Sequence, residues 1–185
     1  MRSPPTRAAL VRELPVPPAV LRRLAAQAPQ RYPLLLDSAV AGPLSAASVL
    51  LALPRAALIL GADGTLTGEG MSPQGTTFLG ALEAWWRSEA TPPGDAHAPL
   101  AGGWALYLGY ELAQEVEPHL SLPRTPLPWV AFALRTPCAL VHELASGRVY
   151  ATAEAGAGAE EALARLAADA LAASAAPDEE ADTLA

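Results

Sequence analysis

Short apolar runs that end at proline or glycine are the feature that most constrains this fold. The chain has 185 residues and 19 prolines. Proline has no amide N–H to give to a helix or a sheet ladder, so each run is limited to a few residues. Strands are predicted at 32–36, 48–53, 56–60, 65–67, 104–108, 129–134, 139–143 and 148–152. So many short strands favour a mainly antiparallel sheet.

Three segments have the periodicity of helices. Phe78, Leu82 and Trp85 follow the i, i+4, i+7 spacing of one helical face. Helices are predicted at 17–28, 76–88 and 159–173, with a short helix or irregular turn at 111–117. Together with the strands, they predict an α+β fold in which a few helices pack on an antiparallel sheet.

The composition changes after residue 153. Residues 1–153 are predicted to form one α+β domain, and their number is common for a single domain. Residues 154–185 are rich in alanine and acidic side chains, and they predict a helix followed by a linker or tail. The part beyond Pro177 has almost nothing to bury, so disorder is predicted there.

The charge and hydropathy patterns exclude several classes of partner. The chain has 19 acidic residues against 12 basic ones, and a nucleic-acid partner would need clustered cations. No apolar run approaches the roughly 20 residues needed to cross a bilayer. The N-terminus lacks the apolar core of a secretory signal. We therefore expect a cytoplasmic protein with no nucleic-acid or membrane partner.

Metal-binding and catalytic constellations are not predicted. Cys138 is the only cysteine, and the three histidines are scattered along the chain. Glu111, Glu115 and Glu117 could suggest a Mg²⁺ site, but Glu111 and Glu115 at i, i+4 are more typical of a solvated helix face. No serine lies in a GxSxG turn. We expect no metal ligand and no catalytic residue in this chain.

Two motifs stand out from this pattern. Residues 100–118, LAGGWALYLGYELAQEVEP, run from a double glycine through alternating aromatics into an acidic segment. Residues 33–38, PLLLDS, end an apolar strand in two short polar side chains. The plain interpretations are a core strand with glycines for close packing, and a strand end at which Asp37 or Ser38 organises the next turn.

In order along the chain, these motifs resemble the N-terminal domain of the chorismate-using synthases. That group contains aminodeoxychorismate synthase component I and anthranilate synthase component I. The resemblance covers Tyr32 to Thr152 and includes the FLGALEAWW helix. The details LYLGYELAQEVEP are closer to the aminodeoxychorismate enzymes, which belong to folate and 4-aminobenzoate synthesis.

The resemblance implies a ligand pocket. In the family, the serine at the end of the PLLLDS-like strand lines a pocket that holds tryptophan, and the glycine-rich segment is scaffold beside it. A hydroxyl at a strand end can bond the amino or carboxylate group of such a ligand. Candidate ligand-binding residues are Asp37, Ser38, Ser45, Gly103, Tyr107 and Tyr110.

The resemblance also implies a function. The whole enzyme converts chorismate and ammonia to 4-amino-4-deoxychorismate, with Mg²⁺ held by a C-terminal chorismate-binding domain and ammonia delivered by a glutamine amidotransferase subunit. The catalytic motifs of that domain are not in this sequence, so we expect the chain alone to be inactive.

Two alternatives remain open. The chain could be a free-standing module that binds an aromatic amino acid or regulates a partner, or it could be the equivalent domain of an anthranilate synthase component I. An independent small enzyme is a third interpretation, without a catalytic constellation to support it.

Overall fold

Antiparallel sheets and helices make up the fold, which is α+β as predicted. The computed structural model describes residues 9–38, 42, 46–89, 100 and 102–176. Ser45 and the tail beyond Pro177 lie outside these residues. No helix in the described ranges has both the length and the apolar character needed to cross a membrane.

All of the predicted strands and helices are present, with ends within three residues of the predicted ones. A further strand lies at the N-terminus. In chain order, the elements are β1 (Leu10–Leu14), α1 (Val20–Gln27), β2 (Leu34–Leu36), β3 (Ala47–Ala52), β4 (Ala56–Gly61), β5 (Leu66–Glu69), α2 (Phe78–Glu89), β6 (Gly103–Leu108), a 3-10 helix (Tyr110–Glu115), β7 (Trp129–Thr136), β8 (Cys138–Glu143), β9 (Val149–Ala153) and α3 (Ala159–Ala175).

The elements divide into two compact units. The first unit takes the described residues of Met1–Leu53, Gly94–Gly102 and Pro137–Ala185. The second takes those of Pro54–Pro93 and Gly103–Thr136. Each unit contains one antiparallel sheet and one hydrophobic core.

The sheet of the first unit has the strand order β1-β9-β8-β3-β2. Leu50 of β3 faces Leu140 of β8, and both are fully buried. Side chains of this face pack with α1 and α3, so that Leu21 and Leu166 join the same core. The alternation of β3 and the periodicity of α3 therefore supply one apolar layer between a sheet and two helices.

Polar contacts hold α3 against the rest of the first unit. The hydroxyl of Tyr32 donates to Asp169 Oδ2 at 2.8 Å. Burial, together with this carboxylate, raises the pKa of Tyr32 above its ordinary value. Arg23 of α1 donates from Nη1 to the carbonyls of Ala173 and Ala176, each at 2.9 Å. These carbonyls lie at the helix C-terminus, where intrahelical donors run out. The boundary predicted at residue 153 falls between β9 and α3, which share one core.

The sheet of the second unit has the order β5-β4-β7-β6. Helix α2 and the 3-10 helix contribute Phe78, Trp85 and Leu112 to its core, which includes Leu58 of β4. Asp63-Gly64, between the strands predicted at 56–60 and 65–67, is a sequence that predicts a short hairpin turn. In the structure this turn places the glycine, Gly64, at φ +84°, which confirms the prediction because that region favours glycine.

Glu115 caps the N-terminus of α2. Its two carboxylate oxygens accept the N–H groups of Phe78 and Leu79 at 2.7 and 2.9 Å. These N–H groups have no partner within the helix, and a negative charge there is also favoured by the helix dipole. The interpretation of Glu115 as part of a solvated face is therefore wrong, because the carboxylate serves a helix 36 residues earlier in the chain.

Candidate functional site

The candidate ligand-binding residues fall into both units. Asp37 and Ser38 follow β2 in the first unit. Gly103 and Tyr107 lie on β6, and Tyr110 begins the 3-10 helix, all in the second unit.

Asp37 and Ser38 form a hydrogen-bonded network at the end of β2. The hydroxyl of Ser48 donates to Asp37 Oδ1 at 2.8 Å, and the N–H of Ser38 donates to Ser48 Oγ at 3.0 Å. The hydroxyl of Ser38 donates to the carbonyl of Ala47 at 2.9 Å. Arg22 Nε donates to Asp37 Oδ2 at 2.7 Å. Both carboxylate oxygens of Asp37 therefore have a donor from the protein itself.

Strand register explains why these groups meet. Leu36 pairs with Val49, so the next residue, Asp37, falls opposite Ser48. Ser48 in turn pairs with His142 of β8. Directly opposed residues share a face, so Asp37, Ser48 and His142 form a polar row across three strands. The row lies on the face that carries Leu50, where it borders the helix-covered core.

The network holds Asp37 as a carboxylate. Hydrogen bonds from Arg22 and then Ser48 lower its pKa below the ordinary value. An ionised Asp37 accepts hydrogen bonds from these donors and has no proton of its own to give as an acid. Ser38 has used its one O–H donor on Ala47, and its oxygen keeps lone pairs that can accept an N–H of a ligand. The arrangement suits recognition of an ammonium or amide donor better than it suits acid–base chemistry.

The sequence missed two members of this network. Arg22 lies on the predicted helix at 17–28, and Ser48 is the first residue of the predicted strand at 48–53. Neither has a local motif. The signal that could find Ser48 is the antiparallel register of the two apolar runs, which places it opposite Asp37.

Asp37→Asn should make stability less dependent on pH. Because the folded pKa of Asp37 is depressed, the carboxylate contributes stability above its unfolded pKa of about 3.9, and that contribution is lost as pH falls through the folded pKa. We expect the melting temperature of wild type to exceed that of Asp37→Asn at about pH 7, and we expect this gap to close towards about pH 3. Thermal melts followed by circular dichroism measure the gap.

Ser38→Ala is the matched control for that measurement. It removes an uncharged partner from the same strand end, so its effect on the melting temperature should be the same at both pH values. A gap for Asp37→Asn that is equally wide at both ends of the range would contradict the role assigned to its charge.

In the second unit, Tyr107 belongs to an aromatic group. Its ring stacks on Phe132 with centroids 5.4 Å apart, and Trp129 meets Phe132 edge-on at 5.9 Å. Tyr107 and Phe132 are directly opposed on β6 and β7, which accounts for the stack. Tyr110 is 77% exposed, which is the largest exposed fraction among the described large hydrophobic side chains of this unit.

Gly103 takes part in a buried ionic cluster through its backbone. Its carbonyl accepts from Arg135 Nη1 at 3.0 Å, and Arg135 is only 4% exposed. Arg135 Nε also donates to Glu89 Oε2 at 2.8 Å, while Trp85 Nε1 donates to Glu89 Oε1 at 3.0 Å. Arg55 forms a second ion pair with Glu89. No local motif pointed to this cluster, which joins α2 to β6, to β7 and to the residue that precedes β4.

A groove of about 320 Å³ lies between the β4–β5 turn and the 3-10 helix. Asp63, Glu111, Gln114 and Arg124 contribute polar groups to its walls. None of the candidate ligand-binding residues that the structure describes lines it. Within the described ranges, no three His, Cys, Asp or Glu side chains are grouped so that they could hold a metal ion.

Comparisons with known proteins do not assign this chain. It matches no protein-family model and no curated protein at a significant level. The resemblance that rests on PLLLDS and on residues 100–118 therefore stays a prediction.

Proposed function

We propose that this chain is a non-catalytic domain of an aminodeoxychorismate synthase component I-like protein. Its role is to support, as the N-terminal domain of that family does, a chorismate-binding catalytic domain carried by the same or a separate polypeptide. That catalytic domain converts chorismate and ammonia to 4-amino-4-deoxychorismate. A cytoplasmic location goes with this role.

The observation that carries the proposal is the ordered pair of motifs. The segment GGWALYLGYELAQE occupies β6 and the 3-10 helix, and PLLLDS occupies β2 and its exit. The fold agrees with what the family resemblance implies, since antiparallel sheets with packed helices carry both motifs. Ser38 is also fixed at the strand end, because its hydroxyl donates to the carbonyl of Ala47 and its backbone N–H donates to Ser48 Oγ, as a ligand-lining serine would need.

The division of labour follows from the chemistry. The reaction of chorismate with ammonia requires Mg²⁺, which the family binds in its catalytic domain. A glutamine amidotransferase subunit supplies the ammonia. The described residues here offer hydrogen-bonded scaffold groups, and each ionic cluster described above joins elements of a single unit. We therefore assign this chain a structural role and, secondarily, the binding of tryptophan.

The test is to precipitate the native polypeptide from its source cells with an antibody against this chain. The precipitate is incubated with chorismate, Mg²⁺ and glutamine, and 4-aminobenzoate is measured after a lyase is added. We expect chorismate-dependent product from the precipitate and none from the purified 185-residue chain. Product that fluoresces as anthranilate without the lyase would favour the anthranilate branch.

Pre-immune serum is the control, and the mass of the precipitated polypeptide is measured in the same experiment. A polypeptide that brings down no chorismate-dependent activity would overturn the proposal. In that case, titration calorimetry with L-tryptophan becomes decisive. Saturable heat that Ser38→Ala abolishes would identify an aromatic amino acid-binding module, the alternative raised by the sequence.

A further inference from the structure

The four edge strands of the two sheets differ in how they are protected. An edge strand exposes backbone donors and acceptors, and charges, shortness or proline normally discourage another strand from adding there. β1 carries Arg12 and Glu13, which pair with Glu160 and Arg148 at 3.4 Å. β2 has only three residues, and β5 has four and ends at Glu69. β6, with the sequence GWALYL, has six residues and neither a charge nor a proline.

The backbone of β6 presents an open row of hydrogen-bonding groups. The N–H of Gly109 donates to the carbonyl of Val130 at 2.8 Å, which fixes the alternation of the β6–β7 ladder. In an antiparallel ladder, the residues between bonded pairs turn their N–H and C=O groups to the other side. On β6 these are Trp104, Leu106 and Leu108. Within the described part of the chain, no backbone hydrogen bond outside the ladder involves them.

The side chains of the same residues form an apolar strip. Leu106 and Leu108 are 49% and 51% exposed and lie on the face that carries Trp104. An exposed, uncharged strand with an open backbone edge is the arrangement to which another strand adds.

We propose that a second copy of this chain pairs antiparallel with β6, so that the two four-stranded sheets become one. The two-fold axis passes beside Leu106, which then opposes Leu106 of the second copy. Trp104 of each copy opposes Leu108 of the other copy. Trp104, Leu106 and Leu108 then each oppose a residue whose backbone groups also face the edge. Each of their open N–H groups therefore meets a carbonyl of the second copy.

The uncharged sequence of β6 favours a second copy over a charged partner. The chain has a net charge of −7, so two copies repel each other over most of their surface. The repulsion is smallest where the contact strand itself is neutral, and β6 is such a strand. A charged partner would find no opposite charge on β6 to recognise, whereas the strand is complementary to itself about Leu106.

The first experiment is sedimentation velocity on the purified chain from low to high micromolar concentration. We expect a concentration-dependent shift from 19.1 kDa to twice that mass. Leu106→Arg places two guanidinium groups directly opposite each other, so it should weaken self-association by about tenfold or more. Leu171→Arg, at an equally exposed leucine of α3, is the control and should leave the dimer intact.

A cross-link tests the register. In Leu106→Cys, the two thiols lie on a directly opposed pair with Cα atoms about 5.5 Å apart, within the range of a disulfide. A mild oxidant should therefore give a covalent dimer, while Leu108→Cys, which lies off the axis, should not. The native Cys138 is buried and does not interfere.

Two results would overturn the proposal. A chain that stays monomeric to about 100 µM would assign the β6 edge to a different partner. A dimer that survives Leu106→Arg, or that cross-links through residue 108 instead of 106, would place the contact elsewhere or in another register. Neither result depends on the chorismate-related function, because the assay needs no substrate or catalytic partner.

Discussion

Replacing Glu89 by alanine is expected to lower the free energy of unfolding of the second unit by about 3 kcal/mol, because breaking a buried ion pair leaves a charge in a poorly hydrated site. Arg135 is 4% exposed and would lose the carboxylate that accepts its Nε–H at 2.8 Å. Trp85 would lose the acceptor of its indole N–H. Both groups are held too far inside for water to replace Glu89 fully.

The charge of Glu89 and its shape can be separated with Glu89→Gln. Burial would raise the pKa of Glu89, but hydrogen bonds from Arg135, Trp85 and Arg55 outweigh it and hold the pKa below its ordinary value. A depressed folded pKa stabilises the protein above the unfolded pKa of about 4.3, and the benefit is lost as pH falls through the folded pKa. The advantage of wild type over Glu89→Gln should therefore shrink in acid.

The chain carries its own reporter for this experiment. All four of its tryptophans, at 85, 86, 104 and 129, lie in the second unit. Urea unfolding followed by tryptophan fluorescence therefore measures this unit. Glu83→Ala on the same helix is the control, since its pair with Arg87 is exposed and should contribute less than about 0.5 kcal/mol. Equal losses for the two variants would show that the buried cluster has no special role.

Local signals explain why the elements of this fold could be predicted. Helix α2 follows from the spacing of Phe78, Leu82 and Trp85, and the β4–β5 turn follows from Asp63-Gly64. Strand β1 was not predicted as a strand, because it is defined by its pairing with β9, some 140 residues later. A five-residue run that includes Arg12 and Glu13 has no apolar pattern to identify it.

The division into two sheets could not be predicted for a similar reason. β7 and β8 are separated only by Pro137, and β3 and β4 only by Leu53–Arg55, yet the members of each pair belong to different sheets. A proline ends a strand in sequence, but it does not say which partner the next strand takes. Partner choice depends on pairings between residues far apart in the chain, such as β3 with β8.

The candidate site shows the same limit at the level of side chains. Asp37 and Ser38 were recognisable because a strand ended there in polar residues. Arg22 and Ser48, which fix them, could not be recognised without the register of β2 on β3. Glu115 was misjudged because its partners lie on α2, beyond the reach of any i, i+4 argument.

Leu166→Ala should destabilise the first unit by about 3 kcal/mol, since it removes a fully buried side chain and leaves a cavity. Leu166 lies on α3 in the core that also contains Cys138 and Leu140. Leu171→Ala, on the same helix but 48% exposed, is the matched control and should lose far less. The comparison separates docking of α3 from its helix propensity, because both substitutions replace leucine by alanine.

The single cysteine makes the opening of this core directly measurable. Burial, with a smaller contribution from Glu154, raises the pKa of Cys138 to about 12, and its Sγ contacts the carbonyl of Ala52 at 3.5 Å. A thiol reagent at about pH 8 therefore reacts only when the core opens. A loss of about 3 kcal/mol corresponds to roughly a hundredfold faster labelling in Leu166→Ala. If Cys138 of Leu166→Ala is labelled at the wild-type rate, α3 can loosen without exposing the sheet. The helix would then not be part of the cooperative core of the first unit.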